Sequence, residues 1–237
     1  MQNNFSDANT QISQFLSESN FLLLQSAMTF HQVTSGTHLF WDGEPSEHLY
    51  YVKSGQIHIT KSTEEGKELI LFIRQDGDLF GEIGSVGKPV HTFNAKVVQD
   101  SMIGFIPHED LEQLIGQNGG FAVEFMRWMG LMHQATQAKF RDLLLYGKSG
   151  ALASTLIRLA KTYGVPGDEG IDICIKLTNT DLANIIGTTR EGVNRQLHEY
   201  MDNGILTLKD GRIVIRDLQR LKTIVNCANC PDEICRL

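Results

Sequence analysis

Three of the chain's four cysteines, Cys227, Cys230 and Cys235, crowd into nine residues as C-x2-C-x4-C. That spacing lets one short loop wrap a single metal centre. Soft thiolates select zinc or an iron–sulfur cluster. Pro231 directly after Cys230 fits iron–sulfur runs of the ferredoxin sort. Three thiolates leave a fourth position open, for which Cys174 and a carboxylate are candidates. Asp172 to Lys176 alternates like a strand, which makes Cys174 a small buried filler instead. Zinc held by three thiolates and one further ligand is a competing reading. A disulfide pair is a third, and a frayed tail with incidental thiols is the plainest.

A second constellation lies between Leu177 and Asp202. It reads as two short helices with a tight turn at Gly187. Thr178 caps the first helix. Thr188 caps the second, with Glu191 three residues on as its capping-box partner. Val193, Leu197 and Met201 recur at four-residue spacing and face the core. Arg190, Glu191, Asn194, Arg195 and His198 then share the exposed face. A helix–turn–helix inserts such a face into the major groove of double-stranded DNA. Arginine's fork matches guanine O6 and N7, and glutamate accepts from cytosine N4. From Gly204 to Ile215 the chain reads as a hairpin with an Asp210-Gly211 type I′ turn, making the module a winged helix. Lys209 and Arg212 at its tip can meet phosphate. The alternative is an ordinary helical pair in which Glu191 only caps.

These residues need a frame to position them. Residues 30–107 read as many short strands with turn signals at Glu65-Gly66 and Asp76-Gly77, the pattern of a sandwich or barrel, here a β-roll. Pro107 opens a helix from His108 to Ile115, at the favoured first position. A long helix follows from Phe121 to Tyr146. Its apolar residues, among them Phe125, Trp128, Met129, Phe140, Leu143 and Leu144, cover more than one stripe. One stripe suits the chain's own β-roll and the other a partner helix, which predicts a homodimer. Residues 147–150, Gly-Lys-Ser-Gly, read as a hinge before a further helix from Ala151 to Tyr163. The expected class is α+β: residues 1–118 an N-terminal helix and β-roll, 119–148 a dimerisation helix, 149–222 a winged helix–turn–helix, and 223–237 a cysteine-rich tail.

Composition narrows the function. The net charge of −7 argues against a general nucleic-acid binder. Its distribution is uneven: residues 1–149 hold 10 Lys and Arg against 17 Asp and Glu, whereas residues 150–237 hold 11 of each. A neutral second half can still present a local basic face. No apolar run is long enough to span a membrane, and the first residues carry no secretory signal. A cytoplasmic location follows, where thiols stay reduced. Eight histidines are scattered, and neither a nucleophile motif nor a Gly-rich phosphate loop occurs. An enzyme is therefore not expected.

Thr188 to Arg195, reading TTREGVNR, resembles the recognition helix of the CRP/FNR family of transcription regulators, and Asp78 to Gly84, reading DLFGEIG, resembles that family's β-roll signature. The resemblance covers nearly the whole chain. It implies Arg190, Glu191 and Arg195 as base readers, a TGTGA-type inverted repeat as operator, and RNA polymerase as a partner. Cyclic-AMP receptors carry an arginine for the cyclic phosphate after Gly-Glu. This chain has none between Arg74 and Arg127, and Lys88 is a poor substitute, so cyclic AMP is not expected to bind. Glu82 then orders its own loop. C-terminal cysteines are similar to those of Bacillus-type FNR regulators, which hold a [4Fe-4S] cluster with three cysteines and an aspartate of the dimer helix. By that resemblance Asp142 is the fourth ligand, the alternative being a solvated partner for Arg141 or Lys139. Oxygen-responsive regulation in anaerobic cells is the implied function, with a zinc or thiol redox switch as the alternative.

Overall fold

The computed structural model describes residues 11–83, 89–227 and 234–235. Residues 10–130 and 131–237 form two compact units, each treated by itself below.

The first unit begins with a 3-10 turn, Ile12–Gln14, and helix α1, Glu18–Ser26. Strands follow: β1 Thr29–Val33, β2 His38–Phe40, β3 His48–Ser62, β4 Glu68–Gln75, β5 Leu79–Phe80 and β6 Asn94–Pro107. They form an antiparallel sheet ordered β1-β6-β3-β4, with β2 on β6 and β5 on β3. Its spine is the pair β3 and β6. Period-two alternation turns Ile57 and Ile59 of β3, and Ala95 and Val97 of β6, into one core with Phe40, Tyr50 and Phe80. A bulge breaks the register near Ser54, where Gly55 has φ 111°. A Cβ on Gly55 would fall 2.0 Å from Ser101 Oγ, so only glycine lets the two strands approach there.

Pro107 ends β6 and caps helix α2, His108–Gln117, from outside, one position earlier than expected. Its extended ψ of 140° suits a cap and not a first helical turn. Helix α3 then runs Gly119–Tyr163, well past the expected end at Tyr146. Of residues 147–150, only Gly147 leaves helical geometry (φ 62°, ψ −161°), so the hinge is a one-residue break and not a linker. Phe121 stacks on Phe125, Trp128 packs tilted against Phe125, and all three are buried. Glu124 accepts from Ser17 N at 2.8 Å and Asn20 Nδ2 at 2.7 Å, pinning α1 to the start of α3. Other apolar side chains of α3 stay open to solvent, Met126 at 60%, Phe140 at 63% and Leu144 at 65% exposure.

In the second unit, the latter part of α3 buries Leu152, Ala153, Leu156, Ile157, Leu159 and Ala160. Strands β7 Gly164–Gly167 and β8 Gly170–Ile173 precede helices α4 Asn179–Ile186 and α5 Arg190–Asp202. Then come β9 Leu206–Lys209, β10 Arg212–Ile215 and α6 Leu218–Ile224. The sheet order is β7-β8-β10-β9, all antiparallel. Together the elements are the α+β arrangement expected from the sequence: a β-roll, a long helix and a winged helix–turn–helix. Among the described residues, no helix is long and apolar enough to cross a membrane.

The β-roll also contains a buried titratable group. His91 is 1% exposed and its ring stacks on Phe40 at 3.5 Å. Nδ1 meets Glu82 Oε2 at 3.0 Å, while buried Nε2 has no partner among the described residues. Burial holds the imidazole below its ordinary pKa, against the pull of Glu82. The unfolded chain therefore binds more protons than the folded one just below the ordinary histidine value of about 6.5. Stability contributed by neutral His91 is full above that value and falls as the pH drops through it. Urea unfolding between about pH 7.5 and about pH 5.5 should show a shallower loss in His91→Gln than in the unaltered chain.

Candidate DNA-reading face and metal centre

The winged module is built from local rules. Thr178 Oγ1 accepts from Asp181 N at 3.1 Å, and Asp181 Oδ2 accepts from Thr178 N at 2.8 Å, a reciprocal cap on α4. Gly187 ends α4 in the left-handed region (φ 67°, ψ 41°), which only glycine adopts without strain. The chain then turns into α5. Its cap is Thr189, which accepts from Gly192 N at 3.2 Å, and not Thr188 as the sequence suggested. One residue of shift follows because Thr188 N still donates to Ala183 O and belongs to the preceding helix end.

Val193 and Leu197 face the core as expected. The third inward residue is Tyr200, 3% exposed, in place of Met201. Tyr200 gains a tertiary partner that spacing cannot reveal: its hydroxyl donates to Ser149 O at 3.3 Å. Burial raises its pKa, against the hydrogen bond to Ser149. Arg190, Glu191, Asn194, Arg195 and His198 are all exposed along one face of α5. Asn194 Oδ1 accepts from Asn179 Nδ2 at 3.1 Å, which links that face to α4.

The wing closes through Asp210 (φ 52°) and Gly211 (φ 74°), with Lys209 paired to Arg212. Two positive φ angles are the expected type I′ geometry. Cys174 corrects the sequence reading. Strand β8 stops at Ile173, so Cys174 is exposed and not a buried filler. It lines an open hollow with Lys176, Lys209 and Arg212 and with two carboxylates, Asp172 and Asp210.

The cysteine tail packs elsewhere. Asp217 caps α6 by accepting from Arg220 N at 2.9 Å. The chain then anchors Val225 in the core and brings Cys227 N to Lys222 O at 2.9 Å. Cys227 and Cys235 line one hollow with Asp142, Ser154, Arg158 and Ile234. Cys230 lies outside the described residues. Among the described residues, no three His, Cys, Asp or Glu side chains converge within metal-binding reach.

Asp142 is buried, 4% exposed, so it is not a solvated surface partner. Its Oδ1 accepts from Arg141 Nε at 3.0 Å and Nη2 at 2.7 Å. Its Oδ2 accepts from Arg158 Nη2 at 2.8 Å and from Ser154 Oγ. Burial pushes the carboxyl pKa up, but these hydrogen bonds outweigh it and hold the group below its ordinary value. Arg158, 4% exposed, and Ser154 were missed by sequence reasoning. A signal existed: an arginine inside an otherwise apolar and small-residue helical run (ALASTLIRLA) must find a buried anion. The donor set around the hollow, two thiols and a carboxylate with a third thiol between them in sequence, fits the chemistry of a soft metal centre.

A β-roll followed by a long helix and a winged helix with an exposed polar reading face defines a DNA-binding regulator. Residues 30–118 match the cyclic nucleotide-binding domain family, and residues 150–224 match the Crp-like helix-turn-helix domain family. The chain is 40% identical over 236 residues to the anaerobic regulatory protein of Bacillus subtilis (strain 168), covering 99% of both. It is 30% identical over 189 residues to the cAMP-activated global transcriptional regulator CRP of Salmonella typhimurium, covering 78% of this chain and 88% of that one. Among solved structures, a CooA mutant from Carboxydothermus hydrogenoformans superposes with TM-score 0.75 at 22% identity, covering 93% and 97% of the two chains. FixK2 from Bradyrhizobium japonicum gives 0.72 at 22%, covering 83% and 96%. The chain belongs to the CRP/FNR family of DNA-binding transcription regulators. Its homologues regulate transcription and are not enzymes.

The cap assignment is directly testable. Thr189→Ala should cost about 1 kcal/mol in denaturant unfolding of residues 131–237, and Thr188→Ala distinctly less.

Proposed function

We propose that the chain is an oxygen-responsive regulator of anaerobic transcription. It binds a TGTGA-type inverted repeat as a homodimer, under the control of a [4Fe-4S] cluster held by Cys227, Cys230, Cys235 and Asp142. The observation that supports this reading is that Cys227, Cys235 and buried Asp142 line one hollow. The name of the Bacillus subtilis relative, an anaerobic regulatory protein, supports the physiological setting. A bound cluster supplies the oxygen-reactive chemistry. The chain's own residues do the rest. Asp142 joins α3 to the tail, and the exposed apolar residues Met126, Met129, Phe140 and Leu144 on α3 suit a partner helix. Fixing the tail on α3 fixes the helix that carries those contacts, and through it the separation of two reading faces. Loss of the tie moves the population toward forms that bind DNA poorly.

Arg190, Glu191, Asn194 and Arg195 are the reading residues, with Lys209 and Arg212 on phosphate. RNA polymerase is the expected protein partner and the cytoplasm the expected location. Cyclic AMP has no place in this reading. Glu82 already accepts from Thr92 N at 2.9 Å and from Thr92 Oγ1, and meets His91, so it orders the loop itself. Lys88 lies outside the described residues.

A zinc site or thiol switch at the same cysteines is the second reading, favoured by the same pair of thiols. Colour separates the two, because zinc is d¹⁰ and colourless. Anaerobically purified chain should be brown and contain iron and sulfide. It should retard palindromic operator DNA before exposure to air and lose that ability afterwards, and Cys227→Ser should fail to gain it. Zinc without iron would remove the cluster and leave the regulator. In a site-selection experiment the unaltered chain should return TGTGA half-sites. Arg195→Ala should lose about 1–3 kcal/mol and relax one base position, whereas Lys209→Ala should weaken all sequences alike.

A further inference from the structure

Arg158 is a buried cation, and among the described residues it donates to three groups. Nη2 donates to Asp142 Oδ2 at 2.8 Å, Nε to Ser154 Oγ at 3.3 Å, and Nη1 to the backbone carbonyl of Ile234 at 2.9 Å. One guanidinium thus grips the helix carboxylate and the cysteine tail together. With Arg141 on Oδ1, both oxygens of Asp142 carry arginine donors. A carboxylate ligates metal through the same lone pairs that accept these hydrogen bonds. The hollow beside it measures about 20 Å³, about the room of one water.

We propose that Arg158 is a built-in counter-ion that holds Asp142 and the Ile234–Cys235 segment together when no metal is bound, and that competes with the metal for the Asp142 carboxylate. The competition half rests on Asp142 being a ligand; the anchoring half does not. Arginine suits the task because its planar fork reaches the carboxylate and the carbonyl from one rigid group, which a lysine ammonium cannot reproduce. A buried carboxylate left without a cation is strongly unfavourable. Arg158 is the buried one of the two arginines that offset that penalty, the other being half-exposed Arg141. The metal-free tail keeps its seat, with Cys227 and Cys235 already at the hollow for reloading. Arg158 acts on the site through Asp142 and Ile234, and is a positioning residue.

The test uses the full chain and two variants, Arg158→Gln and the double variant Asp142→Asn with Arg158→Gln. The double variant removes the buried charge that the single change would leave to Arg141 alone, so a folding failure of the single variant does not block the experiment. In metal-free protein, a thiol reagent followed by mass spectrometry reads each cysteine. Cys227 and Cys235 should label about tenfold faster in both variants, the factor expected for one lost charge-assisted hydrogen bond. Exposed Cys174 should label at an unchanged rate. Unchanged labelling of Cys227 and Cys235 overturns the anchoring role. In anaerobically reconstituted protein, iron loss to a chelator should be severalfold slower in Arg158→Gln, because the returning cation is gone. Faster loss would make Arg158 a structural support only and overturn the competition. If the unaltered chain takes up neither iron nor zinc at these thiols, the metal reading and the competition both fall, and the labelling result still decides whether Arg158 anchors the tail.

Discussion

Asp142 carries a charge that almost no water reaches, and such a charge has to be answered by another inside the protein. Arg158 answers it from a point 16 residues further along α3, beyond the break at Gly147. An uninterrupted helix would carry residue 158 about 24 Å from residue 142, far beyond the reach of any side chain. The break is therefore a condition of the ion pair. The chain has to double back for the two side chains to meet, and Gly147, at φ 62°, is where it does so. The same guanidinium then takes the carbonyl of Ile234, next to Cys235.

A comparable economy governs the β-roll. The frame of a cyclic nucleotide-binding domain is present, down to the long β3–β6 pair and the glutamate of its signature. The groups that would face a ligand instead face each other. Glu82 holds Thr92 and His91, and His91 lies flat on Phe40 within the aromatic core. Among the described residues, the signature glutamate is therefore engaged within its own loop.

The reading face shows the division between rigid and free parts. Val193, Leu197 and Tyr200 lock α5 against its unit, and Tyr200 ties it to Ser149 at the head of the latter part of α3. The polar residues between them stay exposed. A rigid inner stripe is what lets an outer stripe be presented at a defined angle to a groove.

Local chemistry along the chain was enough for much of this. Alternation and turn glycines announced short strands across residues 30–107, although β3 and β6 run on for 15 and 14 residues. Thr178 announced the α4 cap, Gly187 the turn after it, and Asp210-Gly211 the wing, because each depends only on neighbours a few residues away. The spacing of Cys227, Cys230 and Cys235 raised a shared centre as an expectation, and of the three only Cys227 and Cys235 lie among the described residues, lining one hollow. What depends on distant partners was not legible. Thr189 and not Thr188 caps α5 because the end of α4 claims Thr188 first. Tyr200 and not Met201 turns inward because Ser149 waits there. Cys174 is exposed because β8 ends one residue sooner than its alternation suggests. Above all, sequence alone could name Asp142 by resemblance but not find Arg158. An ion pair closed across a chain reversal has no period and no fixed spacing, and only the folded chain brings its two halves within 2.8 Å.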